Sequence, residues 1–206
     1  MDLSTALRAE RLVAIIRGTD GEASFRTVMA LAEEGIALVE VSLSGRDALM
    51  VIRRARAALG DAAWLGAGTV LFAADARRAA EAGANLIVTP GLGTGLEEAV
   101  RQGLPTLAGV WTPSEVIAAD ALGVSALKLF PASLGGPGYL RALRAPFPEL
   151  PFVPVGGVDA AAAGAYFAAG AVAVGVGSPL IGDAADGGDL DALRRRAAEF
   201  KAACAR

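Results

Sequence analysis

A chain of 206 residues that is 54% hydrophobic has enough apolar material for one domain with a substantial core, and is neither disordered nor fibrous. Its formal net charge of −3, with arginines scattered rather than run together, leaves no electrostatic footprint for nucleic acid, although a small anionic ligand stays open. The absence of histidine excludes the usual zinc sites and every histidine-based triad, and the single Cys204 cannot form an intrachain disulfide, which suits a reducing cytoplasm.

Taken in order, the first ten residues are charged, lack the apolar core of a signal peptide and are expected to form a short helix over Leu3–Glu10. Apolar runs rich in valine, isoleucine and leucine then recur at Leu12–Arg17, Leu38–Leu43, Trp64–Val70, Leu86–Pro90, Pro105–Val110, Ala126–Phe130, Phe152–Gly156 and Ala171–Gly177. Runs that are continuous rather than alternating are the signature of parallel strands buried on both faces. Helical spacing fills the intervals at Ala23–Glu34, Arg46–Leu59, Ala74–Ala82, Gly95–Gln102, Pro113–Leu122 and Ala160–Ala169. Gly35, Gly60, Gly83, Gly103, Gly123 and Gly170 stand where helix C-caps are expected, one per βα unit except for the double interval before Gly170. The uncharged stretch from Ala160 to Gly182 is long enough to imitate a membrane span, but glycines and Pro179 interrupt it, so no span is expected.

Eight βα units in one chain predict an α/β protein built as a single (β/α)8 (TIM) barrel over residues 1–206, with a short helix in front. A doubly wound open sheet is the competing architecture; the count of eight and the lack of an early glycine-rich dinucleotide loop weigh against it. In a barrel the active site lies at the C-terminal ends of the strands, which is where this chain concentrates Arg17, Glu40, Thr69, Pro90, Gly156-Gly157 and Gly177-Ser178.

The chain carries 17 arginines and only two lysines, Lys128 and Lys201, so arginine serves wherever a cation is wanted for solubility. A lysine inside the apolar run Ala126-Leu127-Lys128-Leu129-Phe130 therefore points to amine chemistry, because an amine can lose its proton and condense with a carbonyl whereas guanidinium cannot. Alternation puts Lys128 on the barrel-facing side with Ala126 and Phe130, and the same rule sends Glu40 inward from Leu38-Val39-Glu40-Val41. The bland alternative is a buried ion pair, but such pairs stabilise poorly because desolvation offsets the attraction. The glycines after the seventh and eighth strands fit phosphate held on backbone N–H groups, with tight βα corners as the plainer explanation.

With these residues in hand, the chain resembles the aldolases that cleave 2-keto-3-deoxy-6-phosphogluconate and 2-keto-3-deoxy-6-phosphogalactonate, from Leu12 to about Asp183. The motifs that carry the resemblance are Val39-Glu40-Val41, Gly66-Ala67-Gly68-Thr69-Val70, Val88-Thr89-Pro90, Leu127-Lys128-Leu129-Phe130-Pro131-Ala132, Val155-Gly156-Gly157-Val158 and Gly175-Val176-Gly177-Ser178. The resemblance implies a class I aldolase that needs no metal or other cofactor. It gives Lys128 the Schiff base, Glu40 the acid/base role, Thr69 the pyruvyl contact, and Gly157, Gly177 and Ser178 the phosphate, with Pro90, Phe130, Val155 and Gly156 lining the substrate site. It further implies a phosphorylated keto-deoxy sugar acid as substrate, pyruvate and glyceraldehyde 3-phosphate as products, and a homotrimer; the charge, the single cysteine and the glycine-broken apolar stretch, for their part, lead one to expect a cytoplasmic protein with no nucleic-acid or membrane partner. The gluconate-type members have arginine where this chain has Ser44, so the carboxylate is expected at Arg17. They also have threonine where it has Val155, and both differences point to the galactonate epimer. Two other functions compete: a phosphosugar epimerase or isomerase in which Lys128 acts only by charge, and a non-catalytic phosphosugar-binding barrel, which would need neither Lys128 nor Glu40.

Overall fold

The computed structural model describes residues 2–61 and 63–205; Met1, Ala62 and Arg206, part of the expected 1–206 domain, lie outside the described residues. Eight strands alternate with helices among the described residues: α1 (Leu3–Glu10), β1 (Leu12–Ile16), α2 (Gly21–Glu33), β2 (Leu38–Ser42), α3 (Ala48–Leu59), β3 (Trp64–Gly68), α4 (Ala73–Glu81) and β4 (Leu86–Val88). They continue through α5 (Thr94–Arg101), β5 (Thr106–Val110), α6 (Pro113–Ala121), β6 (Ala126–Leu129), α7 (Gly136–Arg144), β7 (Phe152–Pro154), α8 (Ala160–Ala168), β8 (Val174–Val176), α9 (Ser178–Ile181) and α10 (Leu190–Cys204).

All strand pairs are parallel and run in the order β7-β6-β5-β4-β3-β2-β1-β8. The ring closes between β7 and β8 through a parallel bridge from Val155 to Gly175. This is the predicted (β/α)8 barrel. Gly175 makes the closing seam fit, since a Cβ there would stand 2.6 Å from Val155 Cγ2.

Burial on both faces explains why the strands read as continuous apolar runs. Val39, Val41, Ala67, Ile87, Leu127 and Leu129 pack outward against the helices, while Val13, Ile15, Leu38, Leu86, Leu107 and Val153 face a separate inner cluster. Leu3, Ala6 and Leu7 of α1 join that inner cluster, so the N-terminal helix caps the bottom of the barrel. The helices start where the sequence supplies caps: Asp20 accepts from Ala23 N–H, and Thr112 with Glu115 forms a capping box around Pro113. The six glycines expected as C-caps all have positive φ.

Several boundaries differ from expectation. Strand β8 begins at Val174 rather than Ala171, because Ala171 N–H bonds back to the Tyr166 carbonyl and closes α8. Strand β4 stops at Val88, and Thr89-Pro90 turns away as the chain crosses the mouth. The C-terminal helix α10, with Leu193, Ala197, Phe200 and Cys204 buried against α2 and α8, is an element the strand-by-strand reading passed over. Its spacing of buried residues by three and four is a plain helical signature.

Candidate active site

Strands β2 and β6 bring an acid and an amine together from opposite sides of the interior. Glu40 Oε2 lies 3.9 Å from Lys128 Nζ, with only 2% and 7% of the two side chains exposed. The separation permits attraction but no direct hydrogen bond, and Oε2 has no hydrogen-bond partner among the described residues. A buried carboxylate oxygen left in this way is costly unless something arrives to use it.

Neighbouring strands are stripped of side chains to make room for the pair. Glu40 lies across Gly68, where a Cβ would sit 1.7 Å from Oε1. Gly109, in register with Lys128 on β5, lies under the Pro90 backbone, and a Cβ there would stand 2.1 Å from the Pro90 carbonyl carbon. Thr89 Oγ1 accepts from Gly109 N–H at 3.3 Å, which anchors that crossing. The Phe130 ring flanks the amine, with Nζ 5.3 Å from its centroid.

A run of hydroxyls continues upward from Glu40. Ser42 is fully buried and shares hydrogen bonds of 2.8 Å with Thr69 Oγ1 and 2.8 Å with Ser44 Oγ. Thr69 holds a left-handed backbone, φ 57°, which is unusual for a β-branched residue.

Beside Phe130 opens a cleft of about 280 Å3 bounded by β1, β7 and β8. It gathers most of the expected ligand residues: Arg17, Phe130, Val155, Gly156-Gly157 and Gly177-Ser178. Gly157, at φ 73°, brings its backbone so close to Ser133 that a Cβ would lie 2.6 Å from that side chain. Arg17 is exposed and makes no ion pair or hydrogen bond among the described residues. A larger cavity, about 540 Å3, runs past Ser44 and Thr69, but its one basic side chain, Arg78, is committed to Asp75. The smaller cleft, with a free guanidinium and exposed glycine backbone, is the better seat for an anion.

The structure thus brings Lys128 and Glu40 together, sets Phe130 beside the amine and in the lining of the smaller cleft, joins Thr69 to the buried Ser42 hydroxyl, and lays the Pro90 backbone over Gly109. Gly109 and Ser42 are contributors that the sequence reading does not single out, and Gly68, named there only within a motif, gains a role of its own. Each had a signal in strand alternation: Ser42 two residues beyond Glu40, Gly68 within the G-A-G-T run, and Gly109 midway through a buried strand.

The family model for KDPG and KHG aldolases matches residues 3–195. The chain belongs to this aldolase family. A probable 2-dehydro-3-deoxy-6-phosphogalactonate aldolase of Rhizobium meliloti (strain 1021) is 38% identical over 181 residues, covering 87% of this chain and 85% of that protein. The 2-dehydro-3-deoxy-phosphogluconate aldolase of Pseudomonas aeruginosa is 37% identical over 160 residues, or 76% and 72% of the two chains. Among solved structures, one described as native KDPGal superposes with a TM-score of 0.87 at 33% identity over 93% of each chain. The KDPG aldolase of Legionella pneumophila, with pyruvate captured as a covalent carbinolamine, gives a TM-score of 0.87 at 25% identity over 96% of this chain and 97% of that one. Membership in the KDPG and KHG aldolases agrees with the sequence motifs that suggested it and makes this chain a lyase of the metal-independent, Schiff-base class.

Proposed function

We propose that this aldolase cleaves 2-dehydro-3-deoxy-6-phosphogalactonate to pyruvate and glyceraldehyde 3-phosphate, with appreciable activity on the gluconate epimer, through an imine on Lys128. The observation that carries the reading is the enclosed approach of Lys128 to Glu40 at the mouth of the barrel. Lys201, the other lysine, is exposed and donates to the Glu34 carbonyl at the opposite end.

The groups fit a complete reaction. The amine of Lys128 adds to the C2 ketone, and loss of water gives a protonated imine. Glu40, directly or through a water, takes the proton of the C4 hydroxyl as the C3–C4 bond breaks. Its electron pair passes into the imine and leaves an enamine, while C4 departs as the aldehyde carbon of glyceraldehyde 3-phosphate. Glu40 returns the proton to C3, and hydrolysis of the imine frees pyruvate and the lysine. The imine serves as the electron sink, so no divalent metal enters the sequence.

Thr69 would hold the keto-acid end, with Arg17 reaching toward it from the cleft in which Gly157, Gly177 and Ser178 would hold the phosphate. Pro90, Phe130, Val155 and Gly156 would shape the channel between them. Val155 offers only methyl groups toward the cleft, and Ser44 is tied to Ser42, so neither favours the gluconate epimer. A homotrimer is part of the proposal, supported by the exposed apolar Leu71, Phe72 and Leu92 on adjacent loops. A cytoplasmic location is supported by the lone thiol of Cys204, buried and free. Pyruvate release from each epimer in the presence of EDTA tests the reading. We expect turnover of both with the galactonate epimer preferred, and no pyruvate from either would contradict it.

A further inference from the structure

Ser42 has no role in that scheme, yet it is fully buried on β2, two residues beyond Glu40 on the same inward face. Its Cα is in register with Gly68, the residue across which the Glu40 carboxylate lies. Its hydroxyl joins Thr69 Oγ1 and Ser44 Oγ, each at 2.8 Å. The geometry points to Ser42 as a positioning residue that orients the Thr69 hydroxyl as a hydrogen-bond donor toward the carboxylate of the bound keto acid, with Ser44 as the outer end of the same relay. The inference rests on the aldolase reading, because it takes Thr69 to touch the pyruvyl group.

The number of protons in the relay fixes its direction. A hydroxyl donates once and accepts at two lone pairs. Three hydroxyls joined by two hydrogen bonds use two protons internally and leave one over. Ser42 cannot hold the spare proton without burying an unsatisfied donor, since both its neighbours would then donate to it and no other group among the described residues hydrogen-bonds its hydroxyl. The spare proton is therefore on Thr69 or on Ser44. Ser44 is exposed and can exchange hydrogen bonds with water at no penalty, whereas Thr69 is half-buried at the end of β3. An anion arriving at Thr69 selects the polarity Ser44 to Ser42 to Thr69, in which each accepted bond strengthens the next donation. The left-handed backbone of Thr69, which a β-branched residue adopts only when its surroundings hold it, aims the side chain at Ser42.

The test measures how much pyruvate half-saturates borohydride trapping on Lys128, with kcat on the sugar acid alongside. For Ser42→Ala we expect half-saturation to rise about five- to tenfold, the size of one lost hydrogen bond, with full adduct still reached at saturating pyruvate. Ser42→Thr keeps a hydroxyl and should restore the wild-type value. The deciding arm is the cycle with Thr69→Val: if Ser42 acts through Thr69, adding Ser42→Ala to Thr69→Val changes half-saturation no further. Independent, multiplying losses would overturn the inference, as would an unchanged Ser42→Ala. Should Ser42→Ala fail to fold, exposed Ser44→Ala carries the test, with a rise of about twofold that vanishes in Thr69→Val; no rise overturns the relay. Absence of any adduct in the wild-type protein would overturn the aldolase reading itself and this inference with it.

Discussion

The two ends of the barrel interior are built from opposite materials. At the bottom, Leu3 and Leu7 of α1 meet Val13, Leu38, Leu86, Leu107 and Ala126, and hydrocarbon fills the space. At the mouth, Glu40, Ser42, Thr89 and Lys128 are equally buried, and Gly68 and Gly109 replace the side chains that would otherwise fill the layer. Burying polar groups costs stability unless they are paired, and the 3.9 Å gap between Glu40 and Lys128 leaves them incompletely paired. The same eight strands therefore make a stabilising floor and a costly, partly emptied ceiling. Only the ceiling has groups that can make or break bonds, which is the usual division of labour in this architecture.

The largest effect that would sharpen this contrast comes from Lys128→Arg. It keeps the positive charge beside Glu40 but replaces an amine with a poor nucleophile, so turnover should fall to background while thermal stability stays near that of the wild type. Activity surviving in this variant would mean that the mouth works by charge alone.

Next in size is Glu40→Gln, which keeps shape and removes the base. A general base contributes about 10²–10⁴-fold, so kcat should fall by that factor while imine formation with pyruvate persists. Wild-type turnover would make Glu40 a structural residue and erase the distinction between the two ends.

At the floor the signs reverse. Leu7 is 1% exposed, and Leu7→Ala should cost about 2–5 kcal/mol of unfolding free energy through lost burial and a cavity. Denaturant titration should show that loss, while kcat per folded molecule stays unchanged. A drop in kcat without a drop in stability would show that the floor reaches the chemistry.

Much of this arrangement was legible in the chain itself. The eight apolar runs announce strands buried on both faces, the six glycines mark the helix ends, and strand alternation alone turns Glu40 and Lys128 toward the same interior. The remainder depended on contacts between distant segments. Nothing local to Gly109 says that the Pro90 backbone crosses it, and nothing local to Ser42 says that Thr69 folds back to meet it. The shortness of β8 was hidden because Ala171–Ala173 is as apolar as the strand it precedes, and the capping bond to Tyr166 decides the boundary. Helix α10 is legible from the spacing of Leu193, Ala197, Phe200 and Cys204 alone, but it lies outside the repeating strand pattern.

The smallest expected effect concerns specificity at the mouth. Val155, 5% exposed, lines the cleft, and Val155→Thr adds one hydroxyl to the cleft wall. One neutral hydrogen bond is worth about 0.5–1.5 kcal/mol, so the ratio of kcat/KM for the two epimers should move toward the gluconate substrate only several-fold. An unchanged ratio would remove Val155 from the specificity account.

The most direct test of the central claim, that the emptied mouth of the barrel forms an imine on its one enclosed lysine, is to reduce the protein with borohydride in the presence of pyruvate, digest it and locate the added mass. Two lysines make the readout binary. The account predicts a single adduct on the peptide containing Lys128 and none on that containing Lys201; an adduct on Lys201 alone, or no adduct at all, would contradict it.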